Sequence, residues 1–119
     1  MEQKDIFNLL ANGIIDDLPQ GLKFKEAVLN IMRLEGVVEF KSHVVDLNNQ
    51  IINLVVSMGY KYTKAVLELY TITQTQPPVH KNWNRAKYIL FPEGRMEIEY
   101  IWDEELQNEV DRLNNETLS

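Results

Sequence analysis

Glu97 and Glu99 stand two residues apart in Met96-Glu-Ile-Glu-Tyr100, so on a strand both project to one face, about 7 Å apart. Paired carboxylates at that separation can serve as general acid and base in glycoside hydrolysis. Such chemistry needs one carboxyl desolvated enough to keep its proton, and nothing in the local pattern supplies the apolar wall. Glutamates on the wet face of an antiparallel strand need no further explanation. The only imidazoles are His43 and His80; they show no His-x-x-x-His spacing and no carboxylate at a metal-ligand offset, so no zinc or iron site is expected. The serines, Ser42, Ser57 and Ser119, lie outside any Gly-x-Ser-x-Gly, and no Gly-x-Gly-x-x-Gly or Gly-Lys-Ser/Thr loop is present to cradle phosphates. The absence of cysteine excludes a thiolate nucleophile, a disulfide scaffold, an iron–sulfur cluster and a Cys-ligated zinc. No catalytic residue and no cofactor is therefore expected. The alternative is a small ligand-binding domain or enzyme that uses the Glu97/Glu99 face with His43 or His80.

Charge says more than motifs. Residues 1–92 carry nine acidic and ten basic side chains, whereas residues 93–119 carry nine acidic and two basic, a local charge of −7 within a total of −6. Binding to a phosphate backbone needs clustered Lys and Arg, so direct nucleic-acid binding is disfavoured. Glu93, Glu97, Glu99, Asp103, Glu104, Glu105, Glu109 and Asp111 form one acidic patch if the last strand runs straight into the last helix. Concentrated negative potential speeds association with a basic partner and selects for it. Glu97, Glu99, Asp103, Glu104 and Glu105 are accordingly the candidate partner-binding residues.

The elements that position them follow from periodicity. Ile6, Leu9, Leu10, Ile14 and Leu18 predict an amphipathic helix, weakened by Gly13 and ended by Pro19. Two runs rich in branched residues, Phe24–Met32 and Val37–Val45, flank a Glu-Gly turn and predict a β-hairpin. Ile51, Leu54, Val55, Met58, Tyr62, Ala65, Val66 and Leu69 keep a helical period, which predicts a long central helix over Asn48–Tyr70 capped by Asp46, Asn48 or Asn49. Thr71–Pro78 then reads as an extended linker. A second hairpin is expected from Trp83–Phe91, the turn Pro92-Glu-Gly94 and Arg95–Trp102, with Met96, Ile98, Tyr100 and Trp102 facing inward. Asp103-Glu-Glu105 places acid where a helix start favours it, and Leu106, Val110 and Leu113 predict a short final helix. Residues 1–119 read as a single α+β domain: four antiparallel strands from two hairpins, packed on the central helix, with helices at both ends. No apolar run approaches the ~20 residues needed to cross a bilayer, and Met-Glu-Gln-Lys-Asp does not resemble a signal peptide. A cytoplasmic protein is the expectation.

Trp83-Asn84, the strand Ala86-Lys-Tyr-Ile-Leu-Phe91, the turn Pro92-Glu-Gly94 and the strand Met96-Glu-Ile-Glu-Tyr100, preceded by a long helix and an amphipathic helix ending at Pro19, resemble the YezG-like family of bacterial immunity proteins. The chain departs from the family after Pro19, where Gln20-Gly-Leu22 lacks the expected tryptophan. The resemblance implies a non-enzymatic antitoxin that binds the C-terminal toxin domain of a polymorphic or contact-dependent growth inhibition effector, often a nuclease; a stoichiometric complex, with the protein a monomer in a 1:1 complex, is the expectation. Trp83, Gly94 and Tyr100 match the pattern and belong to the fold; no binding residue carries over. The acidic patch agrees independently, since an acidic inhibitor can occupy a basic nuclease surface as a mimic of phosphate.

Overall fold

Ile6, Leu10 and Ile14, four residues apart, are buried along one side of helix α1 (Gln3–Asp17), and the Asp5 carboxylate accepts the Glu2 N–H at 3.1 Å at its start. Gly13 faces the next helix: a Cβ there would lie 2.7 Å from Met58 Cε and 2.8 Å from Tyr62 Cε1. The residue that lowers helix propensity is thus what permits the close approach. The protein is described from a computed structural model that covers residues 1–118, with side chains through Glu116.

The first hairpin forms as expected. Strands β1 (Phe24–Leu34) and β2 (Val37–Asp46) pair antiparallel from Leu34↔Val37 outward, and Gly36, at φ +70°, takes the left-handed position of the two-residue turn. The next segment corrects the sequence reading. Asp46, Asn48 and Asn49 cap no helix; Asp46 Oδ1 accepts the N–H groups of Asn48 (2.8 Å) and Gln50 (2.9 Å), and Asn49 sits at φ +64°, closing a turn into a fifth strand, β3 (Ile51–Leu54). From Ile51 to Met58 exposed and half-buried residues alternate strictly. Ile51 and Val55, which the helical count placed on the core side, are 68% and 85% exposed. The i, i+3, i+4 spacing there was a coincidence within a run of branched residues, and the period of two won.

The second helix, α2 (Tyr60–Thr75), therefore starts later and ends later than predicted. Thr71 and Thr75 are helical, with their hydroxyls donating to carbonyls one turn back, those of Leu67 (3.3 Å) and Thr71 (2.7 Å). The extended linker shrinks to the segment after Thr75. Strands β4 (Arg85–Leu90) and β5 (Met96–Ile101) make the second hairpin, with Gly94 at φ +94° in its turn. The strand ends at Ile101, so the alternation that predicted a buried Trp102 stops one residue earlier, and Trp102 is 43% exposed.

All five strands form one antiparallel sheet in the order β3-β2-β1-β4-β5. The class is α+β in two layers, with five strands rather than four and no single long central helix. Register assigns the faces. Ala27, Leu29 and Ile31 of β1, with Val44 of β2 and Ala86, Tyr88 and Leu90 of β4, point to the side on which α1 and α2 pack and make the core. On the other face Asn30 of β1, Lys41 of β2 and Glu97 and Glu99 of β5 are exposed. The last helix, α3 (Glu104–Leu118), leaves the body after β5, and the molecule is correspondingly elongated, 52 × 32 × 23 Å. Leu106 and Val110 on its narrow stripe are half-buried. Among the described residues no helix is long and apolar enough to cross a membrane.

Candidate interaction surface

β5 is an edge strand, and Glu97 and Glu99 stand exposed on the face opposite the core while Met96, Ile98 and Tyr100 face the core side. Inter-strand register sets their neighbours. Glu97 lies opposite Ile89, and Glu99 lies opposite Lys87, which continues into a row through Asn30 of β1 and Lys41 of β2. The open face is thus mixed in charge near its centre and acidic toward the β5 edge. Arg95 spans the acids of the turn, its Nε 3.3 Å from Glu93 and its Nη1 2.5 Å from Glu97, with its guanidinium 3.7 Å from the centre of the Phe91 ring. A pair this exposed contributes little to stability.

Asp103 differs from the other four candidates because both of its carboxylate oxygens are engaged. One oxygen accepts the Leu106 N–H at 3.0 Å, the capping bond of α3, and the other accepts Arg85 Nε at 2.6 Å. The Leu106 bond and then the Arg85 guanidinium hold its pKa below the usual carboxylate value. Behind it, buried Asn84 donates Nδ2 to the Asp103 carbonyl (2.8 Å) and accepts the Asp103 N–H through Oδ1 (2.7 Å). The joint between β5 and α3 is therefore fixed by side chains of β4 and its lead-in.

Past that joint, Glu104 and Glu105 are exposed in the first turn of α3, where the helix dipole favours negative charge. Glu109 sits against Arg112, whose hydrogen bond holds the Glu109 carboxyl below its ordinary value, and Arg112 also reaches Glu116 at 2.8 Å. Asp111 accepts Gln107 Nε2 at 3.0 Å. Among the described residues no cation lies within ion-pair distance of Glu99, Glu104 or Glu105. Asp111 likewise has no cation within that distance, so four acids of the patch lack an ion-pair partner among the described residues.

The structure does not bring the histidines to the carboxylates. His43 shares the open face and even the same cross-sheet row, His43–Val28–Ile89–Glu97, but three strand spacings of about 4.8 Å put it about 14 Å away. His80 packs its ring on Tyr100 at 4.9 Å, on the core side of β5. An open hollow of about 460 Å³ lies between the end of α1 and the start of α2, bordered by Asp16, Ser57, Lys61 and Tyr62 and by neither glutamate nor histidine. Among the described residues no group of three or more His, Asp or Glu is placed to hold a metal ion.

Two arrangements escaped the sequence reading. The Asn84/Arg85/Asp103 joint was detectable in principle, because the turn at Pro92-Glu-Gly94 sets Arg85 opposite Ile101 and so within reach of the residues just beyond. The other is the cluster at the start of β4. Trp83, fully buried, donates Nε1 to Thr73 Oγ1 at 2.9 Å and lies between Tyr70 (5.3 Å) and Tyr100 (5.0 Å), while Arg33 donates to the Trp83 carbonyl at 2.7 Å and stacks on Tyr70 at 3.6 Å. Burial pushes the Tyr100 phenol up to about 12. These contacts fix where β4, and through it β5, lies on the helices.

No family model matches the chain, and no curated protein was found to be similar to it.

Proposed function

We propose that this protein is an immunity protein, which binds a cognate toxin domain in a stoichiometric complex and so neutralises it. The acidic β5–α3 surface meets a basic surface of the toxin, and a nuclease, whose substrate is polyanionic, is the toxin class that fits. The observation that carries this reading is the exposure of Glu97, Glu99, Glu104 and Glu105 along an edge strand and the helix that follows it, held in place by a joint made of other residues. Asp103 enters as the residue that sets the helix direction. Clustered like charges repel one another and are relieved by a cationic partner. The resemblance of residues 83–100 to the YezG-like family points to the same function.

In this reading the protein has no catalytic role, needs no cofactor, binds neither nucleic acid nor membrane, and works in the cytoplasm as a monomer in a 1:1 complex. The test is to purify the C-terminal domain of any large secreted effector encoded beside this chain and titrate it calorimetrically with the protein. A tight 1:1 complex that abolishes the toxic activity is expected. Absence of such an effector, or a toxin domain that stays active and unbound, removes the proposal.

A further inference from the structure

The outer edge of β5 carries a definite hydrogen-bonding phase. Phe91 N donates to the Arg95 carbonyl at 2.9 Å at the mouth of the second hairpin, which marks Phe91↔Arg95 as a hydrogen-bonded pair. Hydrogen-bonded and non-hydrogen-bonded pairs alternate along an antiparallel ladder. With the register Ile89↔Glu97, Lys87↔Glu99 and Arg85↔Ile101, the backbone groups of Glu97, Glu99 and Ile101 turn inward to β4. Those of Met96, Ile98 and Tyr100 turn outward, and among the described residues no backbone hydrogen bond from another element meets them. Such an edge is a template for an added strand.

Side chains decide which strand it accepts. Residues directly opposite one another in a ladder point to the same face. A newcomer would therefore set alternate residues against Glu97 and Glu99 on the open face and the intervening ones beside Ile98 and Tyr100 on the core side. A second copy of β5, paired antiparallel about Ile98, would place Glu97 against Glu99 of its mate on both sides of the centre, and like charges directly opposed are destabilising. The charges that reject a second copy select a basic strand.

We infer that the β5 edge accepts, by antiparallel strand addition, an extended segment of the partner in which basic residues alternate with apolar ones. The inference deepens the proposed function, on which it rests for the identity of the partner, by naming the contact mode. The ladder would supply affinity through the outward groups of Ile98 and Tyr100, and Glu97 and Glu99 would supply selectivity.

The test uses the full chain and does not need the toxin. A disulfide-closed hairpin peptide with one free-edged strand alternating lysine and valine is titrated into the isotopically labelled protein at low salt, alongside the same peptide with glutamate in place of lysine. The expected result is at least tenfold slower hydrogen exchange at the Ile98 and Tyr100 amides with the lysine peptide, no change at the already paired Glu97 and Glu99 amides, and at least tenfold weaker binding by the Glu97→Lys/Glu99→Lys variant. Lack of binding, equal binding of the glutamate peptide, protection only at β3, or protection that rises with protein concentration alone would overturn it. The last outcome would assign the edge to a second copy. Because toxin titration is a separate measurement, a toxin that binds while the lysine peptide does not would leave the immunity reading standing and remove strand addition.

Discussion

Asn84 and Asp103 exchange two hydrogen bonds, the Asn84 amide giving one to the Asp103 carbonyl and taking one from the Asp103 N–H, while Asn84 itself is 1% exposed. A side-chain amide thus continues the β4–β5 ladder one step beyond the last strand residue, at the point where the backbone must turn into α3. The neighbouring Arg85 holds the Asp103 carboxylate. The direction in which α3 leaves the domain is set by this joint.

Asn84→Ala removes both bonds and leaves the Asp103 backbone groups short of partners. Leaving such groups buried and unpaired costs about 1–3 kcal/mol. Urea denaturation should show a loss of that size, and exchange of the α3 amides should quicken more than that of β1.

Lowering the pH should release the same joint. The folded-state pKa of Asp103 is depressed by the Leu106 N–H and by Arg85. Its contribution is therefore complete above the unfolded-state value of about 3.9 and is lost as pH falls through the lower folded-state value. Following the Leu106 amide shift by NMR from pH 6 to pH 2 should show the capping bond persisting through pH 4 and failing below it. A midpoint at or above 4 would contradict the geometry.

The β3 assignment is open to a direct mutational check. Ile51→Lys and Val55→Lys fall on exposed positions and should change stability by less than about 0.5 kcal/mol. Ile52→Lys and Leu54→Lys place charge on the side packed against the core and should destabilise by several times as much. Chemical denaturation of the four variants separates the strand, in which the two pairs differ, from the helix suggested by spacing, in which Ile51, Leu54 and Val55 share a face.

That segment marks where sequence pattern stopped being informative. The α1 stripe and both hairpins were legible because each pattern had its own punctuation: Pro19, Glu35-Gly36 and Pro92-Glu-Gly94. Between Asn48 and Gly59 a helical and a two-residue period coexist in the same branched residues, and the tie was broken by pairing with β2, a contact distant in neither chain nor energy but invisible to periodicity. At Thr71–Thr75 β-branched polar residues suggested an extended chain, whereas the helix runs on to Thr75 with the Thr71 and Thr75 hydroxyls turned back onto the preceding turn and Thr73 buried. The acidic surface was readable as composition. That Asp103 serves the joint while Glu99, Glu104 and Glu105 face water depends on Asn84 and Arg85, which belong to the opposite strand and its lead-in.

Thr73 and Trp83 allow a test of the cluster that seats β4. Thr73→Val keeps the shape and leaves the buried indole N–H without its acceptor, at a cost of about 1–3 kcal/mol. In a Trp102→Phe background, which leaves Trp83 as the sole tryptophan, emission should be that of a buried indole. Thermal melts of the Thr73 variant followed by this emission should shift down without a change in the native-state maximum.

The most direct test of the central claim is the affinity of the cognate toxin domain for the variant with Glu97, Glu99, Glu104 and Glu105 all changed to Lys, with Asp103 and its partners left intact. These side chains are exposed, so circular dichroism should match the parent. Close charge pairs at an interface couple by ~1.5–7 kcal/mol and rim charges alter mainly association rate and its salt dependence. At least tenfold weaker binding at low salt, with a smaller loss at high salt, is the expected result. Unchanged affinity at both salt concentrations in a folded variant would contradict the claim that this surface meets the toxin.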